Sequence, residues 1–229
     1  MSAKSERPLT DAFSDLRTSI AKVLGYRGDK ISVGTGFLVH PDGYVVTAHH
    51  VVDGCERVEV IPDNWPQPIP AKRCIKNRDD MAILKIDYKK LDANFKVRFA
   101  PAKVLPRHKH VLAGSDVGVA GYAWGMQHEN ESTLFVFKRV IALNVMHPPH
   151  REGLFYYIDG TAIAGMSGGP VFNIETGEII GVIVEIRPEK EFKFRTDTGL
   201  VTMAAAEHLT VALQSFYIHS GLDAYDIVL

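Results

Sequence analysis

From residue 31 to residue 203 the chain runs as a succession of short, β-branched segments, each closed off by Gly, Pro, Asp or Asn. Segments that read as strands are 31–40, 43–48, 57–62, 71–77, 81–86 and 97–100. A second set follows at 116–123, 133–143, 154–158, 169–173, 179–186 and 199–203. Pro41-Asp42-Gly43 is a hairpin turn signal. Many short strands at such spacing predict an all-β barrel or sandwich. Between the two sets lies 101–112, with Pro101, Pro106 and the basic stretch Arg107-His108-Lys109-His110, which reads as a linker. The ends have a different rhythm. Leu9, Phe13, Leu16, Ile20, Val23 and Leu24 recur at spacings of three and four, which predicts an amphipathic helix over 9–25, stopped by Gly25 and Gly28. Residues 204–220 predict a closing helix with Leu209, Leu213, Phe216 and Tyr217 on one stripe. The expected organisation is a helical segment over 1–29, a first β-unit over 30–105 and a second over 106–229.

A chain of 229 residues buries enough surface to fold without disulfides or metals. Its 26 basic and 27 acidic side chains leave a formal net charge of -1, so no nucleic-acid or membrane partner is expected from a field spread over the surface. Two cysteines, Cys55 and Cys74, are too few for a disulfide scaffold and read as reduced small hydrophobes, with a single bridge as the alternative. Residues 1–17 are polar and carry no apolar signal region, and no run approaches the length of a membrane span. These features predict a soluble cytoplasmic protein.

Three local patterns carry chemistry. Gly165-Met166-Ser167-Gly168-Gly169-Pro170 places a serine on a tight glycine-rich turn, where backbone N–H groups can approach a substrate carbonyl. A serine hydroxyl needs a base, and Thr47-Ala48-His49-His50-Val51-Val52 offers two histidines after a β-rich segment. On a strand the two would point opposite ways, so at most one faces a site. Asp79-Asp80-Met81-Ala82-Ile83-Leu84 puts a carboxylate at the mouth of an apolar strand, where it can orient an imidazole. Each pattern alone also fits an ordinary loop, core or turn residue. Their order, His then Asp then Ser, is that of chymotrypsin-type peptidases and differs from subtilisins and α/β-hydrolases.

With these residues the sequence resembles the trypsin-like (chymotrypsin-fold) serine peptidases, above all the HtrA/Deg branch. Gly34-Thr35-Gly36-Phe37 and the run from Gly43 to Val52 are similar to that family's opening, Asp80–Leu84 to its aspartate strand, and Gly165–Pro170 with the following Gly177–Val182 to its nucleophile loop and hairpin. The resemblance covers roughly residues 30–205. It implies two perpendicular six-stranded β-barrels with a triad in the cleft between them. The triad roles fall on His50 rather than His49, Asp80 rather than Asp79, and Ser167. The oxyanion hole falls on the N–H groups of Gly165 and Ser167, and the primary pocket on Thr161, Val184 and Ile186. None of these pocket residues is an acid, which implies small to medium apolar side chains rather than Arg or Lys. There are departures. Met166 stands where digestive relatives have Asp and HtrA-type relatives usually have Asn, no cysteine stands directly after His50, and nothing after the second β-unit resembles a PDZ domain. A stand-alone protease-like domain is therefore expected.

The expected function is a serine endopeptidase acting on a protein or peptide substrate, with no cofactor and no metal. The alternative is a latent or inactive protease-fold module that binds a peptide or protein partner. A regulatory partner or a homo-oligomer stays open. A metal hydrolase built on His147-Pro148-Pro149-His150 or His108-Lys109-His110 is the weakest reading, since no HExxH motif occurs and the spacing suits a shared metal poorly.

Overall fold

The structure is a computed structural model that describes residues 7–63, 65, 67–76, 80–91, 93–128, 131–145, 154–187, 190–196, 199–205 and 209–229. Its first barrel comprises β1 (Ile20–Arg27), β2 (Lys30–His40), β3 (Tyr44–Ala48), β4 (Arg57–Pro62), β5 (Ile69–Lys76) and β6 (Met81–Ile86). These six close in the order β1-β2-β3-β6-β5-β4. The second barrel comprises β7 (Asp116–His128), β8 (Glu131–Val145), β9 (Phe155–Asp159), β10 (Pro170–Asn173), β11 (Ile179–Arg187) and, later in the chain, β14 (Leu209–Gln214). It closes as β10-β11-β14-β9-β8-β7, while β12 (Lys190–Thr196) and β13 (Gly199–Ala205) form a separate hairpin. The pairings within both barrels are antiparallel.

Strand alternation explains why two barrels form one body. On β3, Val45 faces the interior of the first barrel with Val23, Leu38 and Leu84, while Val46 faces outward. On β6, Ala82, Leu84 and Ile86 point inward, and Met81 and Ile83 point outward. The outward set is buried against Tyr122, Phe155, Phe172 and Val182 of the second barrel. A third cluster, including Val117, Ile141, Tyr156, Val171 and Ile180, fills the second barrel. Each fully buried Val, Leu or Ile contributes about 1.5–3 kcal/mol, so the shared middle layer holds the cleft geometry firmly.

Several sequence expectations shift. The predicted helix over 9–25 is helix α1 (Leu9–Arg17) followed by β1. Residues 20–23 of β1 are all buried, because the strand sits between β2 and β4, so the two-residue alternation that marks a half-exposed strand is missing. The segment expected to be helical thus supplies a strand of the first barrel. The same reason applies at the other end, where the helix expected over 204–220 divides into β14 and helix α4 (Ser215–Asp223). The strand expected at 97–100 is instead the end of helix α3 (Ala93–Arg98), whose Phe95 packs its ring edge-on to Phe99, 5.8 Å away.

Candidate active site

Strands β3 and β6 lie side by side, with Ala48 opposite Met81. The chain therefore leaves β3 next to the point where it enters β6. Just beyond Ala48 it makes one helical turn, α2 (His49–Val52), rather than continuing as the strand the histidine pair implied. Asp80 sits immediately before β6 with φ 62°, a left-handed conformation that a short polar residue tolerates. Its backbone carbonyl accepts the His49 N–H at 2.8 Å. Its carboxylate takes two contacts from His50, with Oδ1 2.9 Å from the backbone nitrogen and Oδ2 2.7 Å from ring Nδ1. An ionised carboxylate only accepts, so Nδ1 carries the hydrogen and Nε2 keeps a free lone pair.

His49 is turned elsewhere. Its Nε2 is buried with no hydrogen-bond partner among the described residues and lies 3.5 Å from Asp53 Oδ1. Asp79, the other carboxylate of the pair, lies outside the described residues.

Ser167 comes from the second barrel but rests on the first. Thr35 of β2 donates its backbone N–H to the Ser167 carbonyl at 2.9 Å and its hydroxyl to the Gly165 carbonyl at 2.8 Å. Thr47 of β3 donates its hydroxyl to the Thr35 carbonyl at 2.7 Å. Gly165 and Gly168 have φ 96° and 84°. A Cβ on Gly168 would lie 2.2 Å from the Thr35 carbonyl oxygen, so only glycine allows this approach. The loop is thus seated on β2 and on β3, the strand that leads to His50. Among the described residues the Ser167 hydroxyl and the N–H groups of Gly165 and Ser167 donate no hydrogen bond, which leaves them available to a ligand.

Behind the loop, Met166 is fully buried in the second-barrel core, with its sulfur 3.5 Å from the Ile163 nitrogen. Of the residues expected at the pocket, Thr161 is exposed and Val184 is buried in the layer between the barrels. Ile186 lies on β11, and its side chain is outside the described residues. The segment around Thr161 is held by Thr210, whose hydroxyl accepts from the Ala162 N–H and donates to the Gly160 carbonyl, each at 2.8 Å. Sequence reasoning passed over Thr210, Thr35 and Tyr122. Of the three only Thr35 carried a local signal, its place between two glycines.

A polar line crosses the barrels nearby. Arg17 Nε lies 2.5 Å from Asp63 Oδ2, and the Tyr122 hydroxyl donates to Asp63 Oδ1 at 3.3 Å. Burial and the adjacent carboxylate push the Tyr122 hydroxyl far above its ordinary value, so it stays a neutral donor. The other histidines form no cluster among the described residues. His108 and His110 are exposed, His110 Nδ1 faces Gln214 Oε1 at 3.4 Å, and His147 and His150 lie outside the described residues. No group of three or more His, Cys, Asp or Glu that could hold a metal ion occurs among the described residues. Cys55 is buried and Cys74 half-buried, both as free thiols.

Comparison with known proteins gives the family. The family model of the trypsin-like peptidase domain matches residues 34–182. The probable periplasmic serine endoprotease DegP-like of Pseudomonas savastanoi pv. phaseolicola is 30% identical over 182 residues, covering 80% of this chain and 33% of that protein. Its counterpart in Halomonas elongata is 28% identical, covering 71% of this chain and 31% of that protein. The chain therefore spans about a third of the length of the curated relatives it matches. Among solved structures, the active form of the Rv3671c protease from M. tuberculosis superposes with a TM-score of 0.70 at 20% identity, covering 100% of this chain and 94% of that one. The serine endoprotease from Yersinia pestis gives 0.70 at 18% identity, covering 96% and 67%. At these identities the two superpositions speak for the fold alone. The cytoplasmic location expected from the sequence is corrected by the relatives, which are named periplasmic. The polar start of the chain was too weak a ground for it.

Proposed function

Because the chain belongs to the trypsin-like peptidase domain family, with HtrA/DegP relatives, we propose that it is a serine endopeptidase in which His50, Asp80 and Ser167 act as a triad. The observation that carries this reading is the 2.7 Å approach of His50 Nδ1 to Asp80 Oδ2, made at the end of β3, one of the strands beneath the Ser167 loop. With Nδ1 holding its hydrogen, His50 Nε2 takes the Ser167 proton as the hydroxyl oxygen attacks the scissile carbonyl. Charge develops on the carbonyl oxygen, and the N–H groups of Gly165 and Ser167 receive it. Each such donor lowers the barrier by about 2.7–4 kcal/mol. His50 then passes the proton to the leaving amine, and water, deprotonated by the same imidazole, hydrolyses the acyl-enzyme.

The substrate in this reading is a peptide or unfolded protein segment with a small to medium apolar residue at the cleavage position, since neither Thr161 nor Val184 offers a negative charge to Arg or Lys. The names of the relatives support the periplasm as the place of action. A latent state is the second reading, favoured by one observation: the Ser167 hydroxyl makes no hydrogen bond to His50 among the described residues. Such bonds often tighten only when substrate binds. The two readings separate on treatment with a fluorophosphonate probe, followed by intact mass. Single-site labelling of the parent that is lost in Ser167→Ala supports the active enzyme. A well-folded parent that takes no label overturns it in favour of the latent module.

A further inference from the structure

Gly34-Thr35-Gly36 has no part in the proton transfers, yet it is where the two barrels touch at the nucleophile loop. Thr35 is fully buried, and its polar atoms are all engaged. Its N–H goes to the Ser167 carbonyl and its hydroxyl to the Gly165 carbonyl. The same hydroxyl oxygen accepts the Tyr122 N–H at 2.9 Å, and the Thr35 carbonyl accepts from Thr47. The flanking glycines keep the contact open. A Cβ on Gly34 would lie 2.5 Å from a methyl of Val51 and 3.1 Å from the Ser167 carbonyl oxygen, and one on Gly36 would lie 2.8 Å from the Val46 carbonyl oxygen.

We propose that Thr35 is a positioning residue that sets the direction of the two N–H groups facing the substrate oxyanion, an inference that rests on reading Ser167 as the nucleophile. Its two donors pin the peptide planes that follow Gly165 and Ser167. The plane carrying the Ser167 N–H lies between those two, and the plane carrying the Gly165 N–H adjoins the first. A loop with glycines at 165, 168 and 169, two of them at positive φ, has little stiffness of its own. The stiffness comes from across the cleft. Thr35 is in turn fixed by its pairing with Lys22 on β1 and by Tyr122, whose hydroxyl is tied to Asp63 and through it to Arg17 on α1. Side-chain chemistry at residue 35 therefore decides how well the hole is formed, although Thr35 touches neither substrate nor reacting atom.

The test compares Thr35→Val, which keeps the shape and removes the hydroxyl, with Thr35→Ser, which keeps the hydroxyl and removes the methyl. Two readouts are taken on the full chain: hydrogen exchange of the peptide spanning 161–170, and steady-state kinetics with fluorophosphonate labelling. The proposal expects faster exchange in that peptide for Thr35→Val, with the peptides of β3 and β6 unchanged, and parent-like exchange for Thr35→Ser. It also expects kcat and the labelling rate of Thr35→Val to fall about 100-fold with KM moving less than about threefold, and Thr35→Ser to stay within about fivefold of the parent. Unchanged loop exchange in Thr35→Val overturns the proposal whether or not the protein cleaves peptides. Equal losses in both variants also overturn it, because packing of the methyl would then be responsible. A parent that takes no label while Thr35→Val loosens the loop and Thr35→Ser does not leaves the clamp standing and removes the peptidase reading alone.

Discussion

Asp80 accepts from His50 twice, through Oδ1 from the backbone nitrogen at 2.9 Å and through Oδ2 from ring Nδ1 at 2.7 Å. One carboxylate thereby fixes both where the histidine's backbone sits and which way its ring faces. Asp80→Asn separates the two tasks. The amide oxygen still accepts from the backbone, and Asn tolerates the positive φ, so the fold survives. The amide NH2, however, faces Nδ1 and imposes the tautomer in which Nε2 carries the hydrogen, so the base is lost. We expect kcat to fall about 10⁴-fold with an unchanged thermal melt. A loss smaller than about tenfold would show that Asp80 does not set the tautomer.

The adjacent histidines make a second test. His50→Ala removes the proposed base, and we expect a fall in kcat of about 10⁶-fold. His49→Leu replaces a ring whose buried Nε2 has no hydrogen-bond partner among the described residues and only a 3.5 Å approach to Asp53 Oδ1, so the change relieves a desolvated polar atom. We expect full labelling and a stability within about 1 kcal/mol of the parent, on the favourable side. Loss of labelling in His49→Leu with retention in His50→Ala would reverse the assignment made from the geometry.

A histidine and an aspartate at strand ends were legible in the sequence as candidates, and the resemblance singled out His50 and Asp80, which the structure brings together. An all-β barrel or sandwich was legible from turn signals at strand spacing, and the resemblance made it two barrels. The first strand was not, because Leu16, Ile20, Val23 and Leu24 recur at helical spacing, and Ile20 to Val23, Lys22 included, are buried without the alternation that marks a half-exposed strand. The histidine pair follows the strand expected over 43–48, and the observed turn of α2 brings His50 to Asp80 and His49 to Asp53. Thr35 carried a visible motif with no visible reason. The reason is a carbonyl of the other barrel, about which nothing local can inform. The pocket residues rested on the resemblance alone, and loops and packing rather than chain neighbours decide that Thr161 is exposed and Val184 buried between the barrels.

Tyr122 makes a pH-dependent prediction. Burial and Asp63 raise its hydroxyl above the ordinary value of 10.0. The folded chain keeps this proton while the unfolded chain releases it above that value, so the folded state holds its full stability below it and loses ground as pH rises beyond it, with the hydrogen bond itself intact. Tyr122→Phe removes the bond to Asp63 at all pH. At neutral pH the variant should be less stable by about 1 kcal/mol. Near about pH 11 the parent should have lost that advantage, and the two urea midpoints should converge or cross. A gap that widens with alkalinity would contradict the buried neutral hydroxyl.

Met166 stands one residue before the proposed nucleophile, fully buried among Val117, Val119, Ile180 and Ile183. Its role here is apolar support from beneath, where a carboxylate paired with a new N-terminus would serve in the digestive-type pattern. Three substitutions separate these roles. Met166→Leu keeps volume and should cost less than about 1.5 kcal/mol while retaining labelling. Met166→Ala opens a cavity under the loop and should cost about 2–5 kcal/mol. Met166→Asp places a carboxylate among apolar groups, where it must be protonated or leave the core, and we expect the largest loss of the three with no gain in labelling. Urea unfolding and the labelling rate together decide the matter. A Met166→Asp variant that is as stable as the parent and labels faster would mean that a buried cation lies within reach of this position, and that the loop is built for a charge after all.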